Sequence, residues 1–261
     1  MANKKMLDSL KNKSFVKIIS GIRNYDKQKN LSIAIAADLG GASALDICDD
    51  PDIIKTVKAS VELPIFVSSV DPLKLIAAQN YGADVLEIGN YESFYKEGRM
   101  FTPKEILDTL RFVKKSISRD ILISCTIPAT LEIENQVKLG KDLLNEGADI
   151  LQTEGFSMDT PDAERKDKTY TDILKSASTL TNTFELRKAL PNALIITASG
   201  ITATTAPFAI AMGANGIGVG TYISSLFTQQ EMAEKVKEIV DDINHFAPQY
   251  LEYIRTPVLQ K

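Results

Sequence analysis

The chain is poor in the residues on which many familiar kinds of enzyme chemistry depend. Its 261 residues include one histidine, His245, two cysteines, Cys48 and Cys125, and no tryptophan. A Ser-His-Asp triad and a multi-histidine metal site both need histidine, so we expect neither, and no metal site at all. The cysteines lie within apolar runs and predict buried thiols, not a disulfide framework. Proton transfer is therefore left to Lys, Asp, Glu, Tyr or Cys.

Long apolar runs and an excess of positive charge are also missing. No run reaches the roughly 18 residues that a membrane span needs, and the N-terminal segment has neither an apolar signal core nor transit-peptide character. The formal net charge is −4, with 44% hydrophobic and 25% charged residues. We therefore expect one soluble domain over residues 1–261 that works where it is made and binds neither nucleic acid nor membrane.

Short apolar runs alternate with longer helical patterns along the rest of the chain. After a short N-terminal helix, eight such runs predict strands at residues 15–20, 44–48, 64–69, 84–89, 120–128, 149–154, 193–199 and 216–220. Four of the joins between a helix and a strand read GGAS, YGAD, EGAD and MGAN, where glycine suits a left-handed helix end. Eight parallel strand-helix units predict a closed (β/α)8 TIM barrel, ribulose-phosphate-binding or aldolase-like, with an open doubly wound sheet as the alternative.

Polar residues within the strands indicate what fills the barrel. Because strand side chains alternate between two faces and the face toward the helices is apolar, polar strand residues should point inward. The rule places inside Lys17, Asp46, Glu87, Ser124, Thr126, Gln152, Glu154, Thr197, Ser199, Gly218 and Gly220. Barrel interiors normally hold branched apolar side chains, so the four charged residues indicate either an active site at the C-terminal rim or a structural ion network.

Two glycine turns, ASGIT and GIGVGT, follow the seventh and eighth strands. Barrels of this class bind phosphate at these two places, and glycine lets backbone N–H groups approach an anion closely. The turns predict a phosphate site made by Ser199, Gly200, Ile201, Thr202, Gly218, Val219, Gly220 and Thr221. The alternative is that the glycines only serve tight barrel turns.

Several segments together resemble a family called hypothetical chloroplast reading frame twenty-three, which occurs in algal plastids and cyanobacteria. They are KIISGIRNYD, LDICDDPDI, LEIGNYESFY, ILQTEG, ASGITATTAP and GIGVGT, and the resemblance spans about residues 15–225. It implies a phosphate-binding barrel in the plastid stroma, or in the cytoplasm of a cyanobacterium, but no particular reaction. More distantly, and at the level of fold alone, the layout is similar to thiazole synthase and indole-glycerol-phosphate synthase.

Three functions stay open at this point. The first is an enzyme of lyase, aldolase or isomerase type acting on a small phosphorylated metabolite. In it Lys17 is a Schiff-base nucleophile or a base, and the other candidates are Asp46, Glu87 and Glu154 for acid–base steps and Asn24, Asn90, Thr126 and Gln152 for substrate contacts. The second is an oxidoreductase that binds flavin mononucleotide, and the third is a non-catalytic phosphometabolite-binding protein. Apart from flavin mononucleotide in the second function, the sequence predicts no cofactor.

Two further points depend on how the chain folds. Lys17 could instead form a structural ion pair with Asp46 or Glu154. The long polar segment after the sixth strand could be a lid in which Arg165 or Lys168 reaches the ligand. The sequence is compatible with a homo-oligomer.

Overall fold

Eight parallel strands close a barrel in the order of the chain. The computed structural model describes residues 2–89, 91–118, 120–155 and 167–255. The strands are β1 Phe15–Ile19, β2 Ala44–Ile47, β3 Ile65–Ser69, β4 Val85–Ile88, β5 Leu122–Ile127, β6 Ile150–Thr153, β7 Ile195–Thr197 and β8 Gly216–Val219. Each strand pairs with its neighbours in sequence, and β8 pairs with β1. The predicted closed barrel is confirmed, and the open sheet is excluded.

Helices follow the strands on the outside of the barrel. They are α1 Ala2–Lys11, α2 Lys27–Leu39, α3 Pro51–Lys58, α4 Pro72–Ala78, α5 Glu92–Tyr95, α6 Pro103–Ser116, α7 Ile133–Asn145, α8 Lys168–Ala189, α9 Ala206–Ala211, α10 Thr221–Ser224 and α11 Gln229–Arg255, with a 3-10 turn at Gln79–Tyr81. The carboxylates of Asp50 and Asp71 cap α3 and α4, each followed by proline in the first turn. Within the described residues, no helix has the length and apolarity to cross a bilayer.

The four joins that contain Gly-Ala share one hydrogen bond at the base of the barrel. Their glycines, Gly41, Gly82, Gly147 and Gly213, all have the predicted positive φ. Two residues later a polar side chain accepts the backbone N–H of the strand before. The pairs are Ser43 with Val16 (3.1 Å), Asp84 with Ile65 (2.9 Å), Asp149 with Ile123 (2.8 Å) and Asn215 with Ile195 (2.9 Å). Each bond joins an odd-numbered strand to the entry of the next, even-numbered strand.

The base of the barrel is closed by apolar side chains. Met6 and Leu10 of α1 pack against an inner cluster to which every strand except β5 and β8 contributes a buried side chain; the members are Phe15, Ala44, Phe66, Val85, Ile150 and Ile196. Asn215 donates to the carbonyl of Leu10 (3.0 Å) and so ties α1 to the start of β8. Water is thereby kept from the base, and the opposite, C-terminal end is left for a site.

The inward-facing rule is confirmed for most strands but is wrong at β7. Ile196 lies inside with the basal cluster, and Thr197 faces α8, where its hydroxyl is 2.6 Å from that of Thr183. Thr153 of β6 also faces α8 and lies 2.9 Å from Thr179. The rule assumes that strand side chains facing the helices are apolar. Here α8 carries buried hydroxyl groups that hydrogen-bond to the outward-facing hydroxyl groups of β6 and β7.

Candidate functional site

A cavity of about 620 Å³ opens at the C-terminal end of the barrel, within the usual size range of small-molecule sites. Its floor is formed by Ile19, Thr126 and Gln152 at the upper ends of β1, β5 and β6. The turns after β7 and β8 form one wall. Side chains from α5 and α8 complete the rim. The cavity is therefore where the two glycine turns meet the polar interior.

The turn after β7 is held in an uncommon backbone conformation. Ser199 and Gly200 both have left-handed φ, of 75° and 70°. A Cβ on Gly200 would lie 2.5 Å from the carbonyl oxygen of Lys175, so this position requires glycine. Ser199 donates to Glu92 (3.1 Å). A strained non-glycine residue of this kind costs about 1–3 kcal/mol and is typical of functional sites.

The same turn presents two backbone donors to the cavity. The N–H groups of Gly200 and Ile201 have no acceptor in the described part of the chain, and both residues line the cavity. Thr202 also lines it, but its N–H donates to Thr205 (3.0 Å) and its hydroxyl to Asp172 (3.0 Å). Thr202 therefore stabilises the turn, while Gly200 and Ile201 offer the free donors.

The three glycines of GIGVGT have different surroundings. A Cβ on Gly216 would lie 2.5 Å from the Phe15 carbonyl oxygen, and one on Gly218 would lie 2.9 Å from Ile19 Cδ1. These two glycines allow close packing beneath the cavity. At Gly220 the nearest atom to a Cβ is 3.7 Å away, and Gly220 does line the cavity.

Only some of the predicted phosphate-binding residues in and after β8 reach the cavity. Gly220 and Thr221 are in the cavity wall, whereas Gly218 lies beneath it and the side chain of Val219 faces the helices. The N–H groups of Thr221 and Tyr222 begin α10 and have no acceptor among the described residues. The expectation that Gly218 lies at the barrel mouth is wrong, because Ile19 and Ala198 close over it.

Glu154 is a buried carboxyl group in the cavity wall. It is 4% exposed and accepts hydrogen bonds from the Tyr95 hydroxyl (2.8 Å), the N–H of Ala129 (3.3 Å) and the N–H of Glu92. Burial raises the pKa of Glu154 to about 7, although these bonds favour the ionised form. At neutral pH this group can both take up and release a proton.

The rim also carries charges that the sequence did not identify. Lys96 and Lys175 are exposed, line the cavity and make no ion pair within the described residues. Glu92 and Asp172 line it as well. These residues were missed because they come from the loop after β4 and from α8, where strand alternation gives no information.

Lys17 lies beneath the cavity, not in its wall. Its ammonium group contacts Asp46 at 2.8 Å and Glu87 at 2.5 Å, and it stands 4.5 Å from the centre of the Phe66 ring. All three charged residues are at most 1% exposed. Burial alone would lower the pKa of Lys17, but the two carboxylates outweigh it and raise that pKa. The amine is therefore held protonated.

The ion pair has a different second partner from the one expected. Glu87 takes the place that was considered for Glu154, because Gln152 is the β6 residue that contacts Glu87 and Glu154 lies two residues further toward the rim. Burial, and then the neighbouring Asp46 carboxylate, raises the pKa of Glu87 to about 7, while Lys17 acts in the opposite direction.

Gln152 connects this ion cluster to the cavity. Its amide nitrogen donates to Glu87 Oε1 at 2.6 Å and lies 3.3 Å from the Thr126 hydroxyl. Both Gln152 and Thr126 form part of the floor. Two predicted substrate contacts are therefore in place above the buried charges.

The remaining predicted residues are placed elsewhere or not at all. Asn24 is absent from the cavity wall and shapes the loop after β1, donating to Ser20 (2.9 Å) and accepting from the N–H of Asp26 (3.2 Å). Asn90 and Arg165 lie outside the described residues. Lys168 begins α8, with its nitrogen 5.6 Å from the centre of the Tyr222 ring. Across the described ranges, no three His, Cys, Asp or Glu side chains converge as metal ligands.

Comparison with known proteins places the chain in a family and supports the fold. The family described as "Protein of unknown function (DUF561)" matches residues 1–248. A similar protein from Pyropia yezoensis, "Uncharacterized protein ycf23", is 38% identical over 233 residues, covering 89% of this chain and 84% of its own length. The protein of that name from Cyanidium caldarium is 36% identical, covering 92% and 96%.

Solved structures with low sequence identity share the barrel. "QR15, an Aldolase" is 14% identical with a TM-score of 0.59, covering 95% of this chain and 98% of that one. "Thiamine phosphate pyrophosphorylase from Pyrococcus furiosus" is 17% identical with a TM-score of 0.57, covering 90% and 98%. The protein therefore has the barrel fold seen in aldolases and synthases.

The ion cluster predicts a specific pattern of stability. Lys17→Met should lower the free energy of unfolding by about 3–5 kcal/mol, because it strands buried carboxylates. Adding Asp46→Asn to Lys17→Met should restore part of the loss, because it removes one of the two buried carboxylates that contact the Lys17 ammonium group. Glu154→Gln is the matched control and should restore nothing. Denaturant melts measure all four proteins; rescue by Glu154→Gln would contradict the assigned partners.

The raised pKa of Glu154 predicts how stability changes with pH. Its folded pKa is about 7 against an ordinary value of 4.5, so the stabilisation is present below the lower value and is lost as the pH rises through the upper one. The contribution is at most about 3 kcal/mol. In urea melts from about pH 5 to about pH 8, Glu154→Gln should lose stability less steeply than the wild type. Titration of Glu87 contributes to the pH dependence of stability in both the wild type and Glu154→Gln. If the two proteins lose stability equally steeply with pH, the raised pKa of Glu154 is refuted.

Proposed function

This chain is a member of the DUF561 family, and we propose that it is an enzyme of lyase, aldolase or isomerase type that acts on a small phosphorylated metabolite. One observation carries the proposal. Free backbone donors and two lysines share a single cavity with Glu154, a carboxyl group whose pKa lies near neutrality. The same cavity can therefore bind an anion and transfer a proton.

The phosphate group would be held by the turns after β7 and β8. Gly200 and Ile201 from one turn, and Thr221 and Tyr222 from the other, supply N–H groups without a protein acceptor. Backbone donors that converge in this way bind anions, and the two turns occupy the positions that hold phosphate in many barrels. Lys96 and Lys175 at the rim would add positive charge. Glu92 and Asp172 act against an anion, so binding depends on the phosphate lying close to the turns.

The proton-transfer step is assigned to Glu154. As a carboxylate it takes a proton from a carbon beside the substrate carbonyl, and as a carboxylic acid it returns that proton to the product. A pKa of about 7 suits both directions at neutral pH. Tyr95 holds the carboxyl group in place through its hydroxyl (2.8 Å).

Lys17 is assigned a supporting role in place of a Schiff base. Imine formation needs a neutral amine that reaches the substrate carbonyl. Lys17 is fully buried, carries a raised pKa and does not line the cavity. The site therefore favours direct proton abstraction over imine chemistry.

The relatives support a location in the plastid. The proteins named ycf23 come from algae, among them Pyropia yezoensis and Cyanidium caldarium, and that name matches the plastid reading frame that the sequence resembles. We place the enzyme in the plastid, in the stroma, or in the cytoplasm of a cyanobacterium.

A charge placed at Gly220 tests the phosphate site. Gly220→Asp should weaken binding of inorganic phosphate about tenfold or more, because like charges about 4 Å apart repel by about 1 kcal/mol in water and about 4 kcal/mol near a protein surface. A Cβ has room at this position, so the fold should survive. Gly220→Asn is the control of equal size and should bind phosphate more tightly than Gly220→Asp. Equal affinities of the two variants in calorimetric titration would refute the location.

Hydrogen exchange tests the role of Glu154 and does not require the product to be identified. In deuterium oxide the wild type should introduce deuterium beside the carbonyl of at least one compound in a panel of phosphorylated aldehydes and ketones, followed by NMR. Glu154→Gln should slow that exchange by a factor of about 100 or more, since general bases contribute this much. Glu97→Gln, at an exposed carboxylate paired with Arg23, is the control and should leave the rate unchanged. Exchange that survives Glu154→Gln would refute the assignment.

A further inference from the structure

The floor of the cavity contains a buried acceptor without a donor. Gln152 is 2% exposed and lines the cavity, and its Oε1 has no hydrogen-bond partner among the described residues. Leaving a buried amide oxygen unmet is costly, and such groups in folded proteins nearly always have a partner. The oxygen therefore indicates a donor that the bound ligand supplies.

The ion cluster fixes which end of the amide faces the cavity. Glu87 Oε2 accepts from the Lys17 ammonium group, and Glu87 Oε1 accepts from the Gln152 amide nitrogen at 2.6 Å. While Glu87 is ionised, reversing the amide would set its oxygen against a carboxylate oxygen, which is repulsive. Lys17 and Glu87 thus act as positioning residues that hold Oε1 toward the ligand.

A hydroxyl donor lies next to this acceptor. The Thr126 hydroxyl is also in the floor, and all its contacts are long: it accepts from the Gln152 amide nitrogen at 3.3 Å and lies 3.4 Å from both Glu87 Oε1 and the Gly89 carbonyl oxygen. The floor therefore offers one acceptor, Gln152 Oε1, and one donor, the Thr126 O–H. A hydroxyl group, which donates one hydrogen bond and accepts others, complements this pair. An ammonium group would bring three donors to a single free acceptor.

The acceptor lies directly below the proposed phosphate site. A Cβ on Gly218 would be 3.5 Å from Gln152 Oε1, which places the amide oxygen beside that residue of β8. Gly220 stands two residues further toward the mouth, and at about 3.3 Å per residue this is about 7 Å. Ile19 borders the space between the two levels and adds an apolar wall.

We propose that Gln152 and Thr126 form a subsite for a ligand hydroxyl, so that the ligand is a hydroxylated phosphate monoester of the sugar-phosphate or polyol-phosphate class. The phosphate lies at the turns after β7 and β8, and a hydroxyl at the other end of a short carbon chain reaches the floor. The hydroxyl donates to Gln152 Oε1 and accepts from the Thr126 hydroxyl. This inference rests on the phosphate site of the proposed function and adds what the rest of the ligand carries.

Matched alkyl phosphates test the subsite. Calorimetric titration of the wild type compares 3-hydroxypropyl and 4-hydroxybutyl phosphate with propyl and butyl phosphate, which differ only in the terminal hydroxyl. At least one hydroxylated probe should bind about tenfold or more tightly than its alkyl counterpart, because the alkyl group leaves buried polar atoms unpaired. Gln152→Met, of similar length, should remove that preference and leave binding of inorganic phosphate unchanged.

Thr126→Val provides a second variant of nearly the same shape and should reduce the preference without affecting inorganic phosphate. Circular dichroism and melts show whether each variant is folded. Equal affinity of the wild type for both members of each pair would overturn the hydroxyl subsite and leave the phosphate site standing. A preference that persists in folded Gln152→Met and Thr126→Val would also overturn it. Failure of the wild type to bind any probe, inorganic phosphate included, would overturn the proposed function and the subsite together.

Discussion

The barrel is organised around the buried contact of Lys17 with Asp46 and Glu87. One ammonium group and two carboxylates are placed where barrels usually hold branched apolar side chains. Removing such charges from water costs several kcal/mol per ion, and only close pairing with further hydrogen bonds offsets it. Ser68 donates to Asp46 (2.6 Å), and Gln152 donates to Glu87. Each of the three charged groups therefore depends on its hydrogen-bond partners to remain buried, which fixes the arrangement of these side chains inside the barrel.

The polar floor of the cavity is held in place by these buried charged residues. Because Glu87 accepts from both Lys17 and the Gln152 amide nitrogen, the amide oxygen of Gln152 is left in the cavity floor without a partner among the described residues. Glu154 lies outside this network and is held by α5, through the Tyr95 hydroxyl and the N–H of Glu92. The cavity therefore has a floor fixed by the barrel and a buried carboxyl group, that of Glu154, held by α5 in the loop after β4. A change in the loop would leave the floor in place.

The strands and the inward charges could be predicted from sequence because both depend on local alternation. Lys17, Asp46 and Glu87 obey it. The error at Thr197 arose because the hydroxyl of Thr183, on the preceding helix α8, makes an outward polar residue favourable.

Other features of the site depend on distances that no local pattern records. Gly218 and Gly220 look alike in sequence, yet Ile19 and Ala198 cover only the first. Lys175 reaches the cavity from α8, far along the chain from the turns that it faces. The basal hydrogen bonds, in contrast, have a visible signature, since Gly-Ala followed by Ser, Asp or Asn precedes every even-numbered strand. Those four bonds divide the barrel into consecutive quarters of two strands each, and none of them links one quarter to another. The chain could thus be circularly permuted with new termini before β3, β5 or β7 and still keep every such bond within one continuous segment, which makes the quarter the natural unit of rearrangement in this barrel.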